Sequence, residues 1–365
     1  MGIDQHLDLR ALLHPENDAY SAWICNGELM PKLVRNCILC ERTSDQFHPF
    51  AVVRGWRYVR CANCGFVFLN PQPTDTELGH FYNHSYHYDM QRHRDSIPQQ
   101  RVWLDLLKQF CEHPGNLLEV GCSYGYFLAA AKKRGWSVQG IELSEEAAGF
   151  AHRELGLSVD TGRILNVRKE RASTFDAIVA WHVLEHDPIP REFVKTAYEL
   201  LRPGGILAIR VPNLGSTVAK LSGLCWQWLS PPEHVCMYTL ETLSRLLAQS
   251  RFKILASRTA RGNARNMWFE ILRARTKTAL MRRDSGHGNH GINFSFDPPI
   301  VYQDRVWYRA AEGLVTLGTM PVDWLYSWWM SKHGREAELA VIARKPGFET
   351  DAQVMNPLRC ERWRA

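Results

Sequence analysis

Leu117-Leu118-Glu119-Val120-Gly121-Cys122-Ser123-Tyr124-Gly125-Tyr126-Phe127-Leu128 decides how the rest of the chain is read. A short apolar run ends in a carboxylate, Glu119. Gly121 and Gly125 bracket a small-residue loop where the backbone can take positive φ or admit a ligand closely. Residues 127–133 then favour helix, with three consecutive alanines at 129–131. A strand, a glycine loop and a helix start present backbone N–H groups to a ligand. Two common ligands are excluded by the loop itself. Counting from Gly121, the third position is Ser123 and the sixth Tyr126, so the dinucleotide pattern of three spaced glycines fails twice. No Gly-Lys-Ser/Thr follows, so there is no cradle for a nucleoside triphosphate.

Working outward, strands and helices alternate. Residues 137–142 form a second strand ending in Glu142, and Ser144 caps the helix after it. A third strand is expected near residues 157–160. The fourth, residues 175–181, is almost wholly apolar, as a strand covered on both faces should be. A helix over residues 189–201 stops at Arg202-Pro203-Gly204-Gly205, and residues 206–211 follow as the fifth strand. A helix over 239–250, a strand over 252–257 and a last strand over 338–343 complete the set. This order predicts an α/β fold with a doubly wound sheet of seven strands, whose ligands sit at the carboxyl ends. Those ends carry Glu119, Glu142, Asp160, Trp181, His182 and Asn213. A carboxylate after the second strand suits a ribose diol, because it accepts from both hydroxyls. A carboxylate beside the first loop suits an ammonium group. A ribose and a charged amino acid without phosphates describe S-adenosylmethionine.

Leu118 to Gly125 resembles the first motif of class I S-adenosylmethionine-dependent methyltransferases, and Gly140-Ile141-Glu142-Leu143-Ser144 resembles the second. Residues 175–179, His182-Val183-Leu184-Glu185-His186 and Leu201-Arg202-Pro203-Gly204-Gly205 complete the likeness over about residues 115–260. It implies a Rossmann-like methyltransferase sheet and a cofactor held by Glu119, Gly121, Ser123, Gly125, Glu142, Leu143, Trp181 and His182, with Glu142 at the ribose. Two positions depart from the family: Ser123 replaces the usual middle glycine, and Arg163 stands where an acidic residue is common near the adenine.

Ahead of this core lies Cys37-x-x-Cys40, twenty residues, then Cys61-x-x-Cys64. Residues 50–53 and 56–59 read as two short strands around Arg54-Gly55. This is a zinc-ribbon pattern, in which four thiolates close a tetrahedral shell and leave no position for catalysis. The resulting organisation is a leader and zinc ribbon (1–70), linker or lid helices (71–114), the S-adenosylmethionine-binding core (115–260), a helical insertion (261–336), the last core strand (337–346) and a tail (347–365). The linker carries an aromatic, histidine-rich run at residues 82–88, read as a segment flanking the cofactor. A ribbon joined to such a core is similar to bacterial methyltransferases with an N-terminal zinc-binding segment, several of which act on sugars, natural products or cell-envelope metabolites.

Hydrophobic content of 45% and charged content of 22% are those of a soluble globular protein. No stretch is long and apolar enough to span a bilayer, and residues 1–20 lack the apolar core of a signal peptide. Paired CxxC spacings point to a reducing cytoplasm rather than a disulfide framework. Residues 258–283 hold eight Lys or Arg and one Glu, which accounts for the whole net charge of +6. With the tryptophans of residues 307–329 they suggest a substrate lid, and secondarily a contact with an anionic membrane at its inner face.

Methyl transfer requires alignment and, for a protonated nucleophile, a base. His182 and His186 lie at helical spacing after the fourth strand, and His234 follows the fifth in Ser230-Pro231-Pro232-Glu233-His234. All three are candidate catalytic residues; a two-histidine metal site lacks its H-E-x-x-H pattern. The expected activity is methyl transfer to a small-molecule acceptor (a sugar, natural product or envelope precursor). The alternatives are an RNA- or ribosome-directed methyltransferase, with nucleic acid ranked below small molecules as partner, and a non-catalytic binding protein.

Overall fold

The computed structural model describes residues 32–80, 97–167, 171–260 and 336–347. The leader up to residue 31, the aromatic run at 82–88, nearly all of the basic, tryptophan-rich insertion and the tail from 348 lie outside the described residues. Within them the strands are β1 (Phe47–Val53), β2 (Trp56–Cys61), β3 (Val67–Leu69), β4 (Asn116–Val120), β5 (Ser137–Glu142), β6 (Val159–Thr161), β7 (Phe175–Trp181), β8 (Leu201–Pro212), β9 (Cys236–Met237), β10 (Lys253–Ala260) and β11 (Glu338–Arg344). The α-helices are α1 (Asp75–His80), α2 (Ile97–Leu107), α3 (Tyr126–Lys132), α4 (Glu145–Leu155), α5 (Pro190–Leu200), α6 (Thr217–Ser222) and α7 (Leu240–Gln249).

The chain divides into two compact units. The larger takes in residues 79–214, 238–260 and the stretch from 338. Its seven strands are ordered β10-β11-β8-β7-β4-β5-β6, and β11 runs antiparallel to both neighbours. The five strands from β8 to β6 are parallel. After β4 the chain adds β5 and β6 on one side, then returns to place β7 on the other. The strand order therefore reverses beside β4, so the switch point, where ligands of such sheets bind, lies at the carboxyl ends of β4 and β7. β7 is buried along its first six residues, which is why its sequence shows no polar alternation. Leu104, Leu107, Leu117, Phe127, Leu128, Ala151, Val179 and Ile206 belong to the core that α2, α3 and α4 share with the sheet.

One expected break is a strand. Arg202-Pro203-Gly204-Gly205 does end α5, but the chain is already in β8 from Leu201. Gly204 sits at φ +81, and a Cβ on Gly205 would stand 2.9 Å from the carbonyl oxygen of Arg202. The glycine pair thus makes a bulged strand start, held by Gly204 N–H donating to Lys345 O and Lys345 N–H donating to Gly205 O, both at 2.9 Å.

The smaller unit contains described residues 32–78 and 215–237. Its antiparallel sheet runs β1-β2-β3-β9. Arg54 and Gly55 both take positive φ, 51° and 76°, the geometry that lets a two-residue hairpin follow strand twist. The segment 215–237, expected inside a continuous 115–260 core, instead supplies β9 to this sheet, through Val67 opposite Met237 and Phe68 opposite Cys236. Tyr58 is fully buried, and its hydroxyl donates to His234 O at 2.7 Å. Without that partner a buried phenol would cost stability.

Candidate functional site

The loop after β4 is built from left-handed residues. Gly121, Ser123 and Gly125 have φ of 68°, 50° and 76°. Ser123 thus occupies a conformation that favours glycine, which gives the departure at this position its physical meaning. Gly121 is required for a second reason. A Cβ there would lie 2.5 Å from Cγ2 of Val183, the second residue after β7, and one on Gly125 would lie 2.7 Å from Cδ1 of Leu157. Gly121→Ala is therefore expected to destabilise the protein by about 1–3 kcal/mol through overpacking. Chemical denaturation measures this, and an unchanged midpoint would refute the packing argument.

Glu142 ends β5, beside β4. Its carboxylate accepts from Ser123 N–H at 2.8 Å and from Ser144 N–H at 3.0 Å. It thereby ties the glycine loop to the start of α4, where Ser144 Oγ accepts from Ala147 N–H at 3.3 Å. Glu119, at the end of β4, is buried, and its Oε2 has no hydrogen-bond partner among the described residues. Burial, and then the neighbouring Glu142 carboxylate, push the Glu119 carboxyl well above the usual range. Ser123 Oγ, Tyr126 OH and Trp181 Nε1 are likewise buried without partners. Leu143, next to Glu142, leaves 46% of its surface exposed, a bare apolar side chain beside two acidic ones. Orphaned polar atoms, two carboxylates and an uncovered leucine around one loop fit a cationic ligand with a ribose and an apolar base. Arg163, at the expected adenine edge, pairs with the buried Asp187 at 3.4 Å.

β7 delivers Trp181 and His182 next to this loop. Trp181 packs on Trp103 at 5.1 Å and on Phe127 at 5.8 Å between ring centres. His182 takes φ 55°, which costs a non-glycine residue on the order of 1 kcal/mol. The spacing of His182 and His186 is not realised as a helix; a single 3-10 turn covers Leu184–His186 and leaves His182 outside it. The two histidines instead address one carboxylate. His182 Nδ1 lies 3.0 Å from Glu185 Oε1 and His186 Nε2 lies 4.0 Å from the same oxygen. His182 Nε2 faces Glu338 Oε1 at 3.3 Å, from the first residue of β11. Glu338 is also paired with Arg210 of β8, whose guanidinium lies over Trp103 at 5.0 Å. Burial alone would raise the Glu338 carboxyl, but His182 and Arg210 hold it below its ordinary value. Val183, Glu338, Arg210 and Trp103 were not legible as site residues, because 128 positions separate Arg210 from Glu338.

His234 lies in the smaller unit and is buried. Its ring stacks on Trp228 at 5.6 Å, and Nδ1 is 2.7 Å from Trp228 O. A carbonyl only accepts, so Nδ1 carries the proton and Nε2 is the basic nitrogen of the neutral ring. In the same unit the four cysteines converge. Cys37 Sγ and Cys64 Sγ are 3.6 Å apart, as are Cys40 Sγ and Cys61 Sγ, and all four sulfurs lie within 4.8 Å of one another. These separations are far too long for disulfides. They match the edges of a tetrahedron with metal–sulfur bonds of about 2.3 Å. The cluster therefore fits a structural zinc ion.

No helix among the described residues is long and apolar enough to cross a membrane. The family model described as a methyltransferase domain matches residues 90–257. The chain is similar to the ubiquinone biosynthesis O-methyltransferase of Azoarcus sp., 36% identical over 118 residues, 30% of this chain and 50% of that protein. It is similar also to that of Caulobacter vibrioides, 28% identical over 128 residues, 33% of this chain and 51% of that protein. The chain thus spans about half the length of these relatives. Among solved structures, an S-adenosylmethionine-dependent methyltransferase from Thermotoga maritima, described as a possible histamine N-methyltransferase, is 17% identical, with 73% of this chain and 98% of that one covered and a TM-score of 0.44. The match over residues 90–257 identifies a methyltransferase domain there, and the seven-stranded order with its two acidic strand ends agrees with it.

Proposed function

We propose that the whole protein transfers the methyl group of S-adenosylmethionine to a small-molecule acceptor, as the reading carried by the paired carboxylates Glu119 and Glu142 around the left-handed loop. When bound, the cofactor supplies a methyl group on a positively charged sulfur, already activated for in-line displacement. Glu142 would hold the ribose hydroxyls with lone pairs left over from its two backbone bonds. Glu119, buried and short of a partner, would take the amino group. Leu143 would cover the base. Trp181 and the glycine loop exclude water from the carboxyl end of β4.

His234 is the proposed general base. Its Nδ1–H is committed to Trp228 O, so Nε2 is the basic nitrogen of its neutral ring. The curated relatives carry names of oxygen methylation in ubiquinone biosynthesis, and an acceptor hydroxyl needs such a proton sink. His182, already bridged by two carboxylates, serves this role poorly, and His186 is turned toward Glu185. The names of the relatives favour a small molecule over RNA as acceptor.

Residues Cys37, Cys40, Cys61 and Cys64 would hold zinc in a closed shell. Zinc there fixes the turns that lead into β1 and out of β2 and takes no part in the transfer. The test of the activity is incorporation of label from methyl-labelled S-adenosylmethionine into a panel of hydroxylated acceptors. His234→Gln is expected to lower kcat by about a hundredfold to ten-thousandfold, with the cofactor Kd unchanged by calorimetry. A kcat within a few-fold of wild type would remove His234 from the mechanism.

A further inference from the structure

We propose that His182 is a positioning residue: its imidazolium, bridged between Glu185 and Glu338, sets the turn that seats Val183 against Gly121 of the cofactor loop. The inference rests on the reading of that loop as the S-adenosylmethionine site.

Both ring nitrogens face carboxylate oxygens, Nδ1 within hydrogen-bond distance of Glu185 at 3.0 Å and Nε2 in a charge contact with Glu338 at 3.3 Å. A neutral imidazole has one lone pair, which would then point at a carboxylate. Only the doubly protonated ring suits both partners. Glu185 and Glu338 are almost entirely buried, at 0% and 1% exposure, so each needs a compensating cation. Arg210 supplies one to Glu338. His182 supplies the other, with His186 at 4.0 Å from Glu185. The backbone is tied down as well, because His182 N–H donates to Arg210 O at 2.8 Å. Three elements, the end of β7, the turn Leu184–His186 and the start of β11, are thereby fastened at one ring. The left-handed φ of His182 is tolerated because that fastening holds it. The next residue is Val183, whose Cγ2 fills the space a Cβ on Gly121 would take.

Burial alone would lower the His182 pKa, but the Glu338 and Glu185 carboxylates outweigh it and raise it to about 9. A folded-state value above the unfolded one gives a contribution fully present below the unfolded value, about 6.5, and lost as pH rises through about 9. The groups that face the ring within this unit are Glu185 and His186 from its own turn, Glu338 from β11 and Arg210 from β8.

The experiment measures S-adenosylhomocysteine binding by calorimetry from about pH 7.5 to about pH 10 for the full chain and for His182→Gly, in parallel. Glycine accepts the left-handed conformation without strain, so a loss in this variant reports the missing imidazolium. The ligand's own amino group titrates equally in both proteins, and the ratio of the two Kd values removes it. The expected ratio is about tenfold at the lower pH, as for a typical coupling between sites, falling towards unity at the upper. In wild type, the His182 ring resonance is expected to titrate near the raised value; a midpoint of about 6.5, the ordinary value, overturns the proposal, whatever the variant does. Binding with a ratio near unity throughout overturns this inference alone. Absence of wild-type binding at every pH overturns it together with the cofactor reading.

Discussion

Glu142→Ala is expected to weaken S-adenosylmethionine binding by at least about a hundredfold. A hydrogen bond to a charged acceptor contributes about 1.5–3 kcal/mol, and a ribose diol makes two. Alanine also frees Ser123 N–H and Ser144 N–H, which Glu142 holds at 2.8 and 3.0 Å, so the glycine loop loses its tether to α4. Glu142→Gln separates the two contributions. It keeps an acceptor oxygen for one backbone donor but loses the charge, and its loss should be intermediate. Calorimetry of the three proteins decides the matter. Near-equal affinities would mean that the ribose lies elsewhere, and the cofactor reading of the loop would fall with it.

The second large effect concerns the cysteines. Purified protein is expected to carry one equivalent of zinc, and Cys61→Ser is expected to lose it along with the fold of the smaller unit. Cys61 ends β2 and is buried, and the core beneath it is small. In zinc-dependent segments of this size, apparent metal-binding free energies of about 10–16 kcal/mol are also folding free energies. Metal analysis and the near-ultraviolet signal of buried Trp56 and Trp226 report the two losses separately. Well below one equivalent of metal, with a serine variant as stable as wild type, would leave four reduced core thiols in place of a ribbon.

What the sequence disclosed follows from how far each signal reaches along the chain. β4 and β7 were legible because a few adjacent residues carry the apolar runs, and Ser144 because a cap acts over three positions. The ribbon was legible because all four cysteines fall within 28 residues, although β1 extends back to Phe47 rather than starting at residue 50. β9 was not, because two residues carry no periodicity and its partner β3 precedes it by about 170 positions. The turn at His182 was not legible, because its spacing from His186 leaves helix and turn both open. Nothing local announces that Glu338 will arrive to bind the ring, and the ring's two carboxylate partners outweigh helix propensity. Glu119, Glu142 and the glycines of the loop were placed from neighbours in sequence. Val183 and Arg210, placed by the tertiary fold, were not.

The strand β9 also bears on the order of events at the ribosome. The cysteines of the ribbon emerge early and can take up metal at once. The sheet that they anchor stays incomplete until residue 237 has been made. The Tyr58–His234 hydrogen bond spans 176 residues, which at about 5–20 residues per second is roughly 9–35 s of synthesis. Throughout that interval β3 is a bare sheet edge, open to pairing with another nascent chain. If the four cysteines hold zinc as proposed, early metallation would limit how far that edge can stray, and zinc starvation would show first as aggregation during synthesis rather than as a slower enzyme.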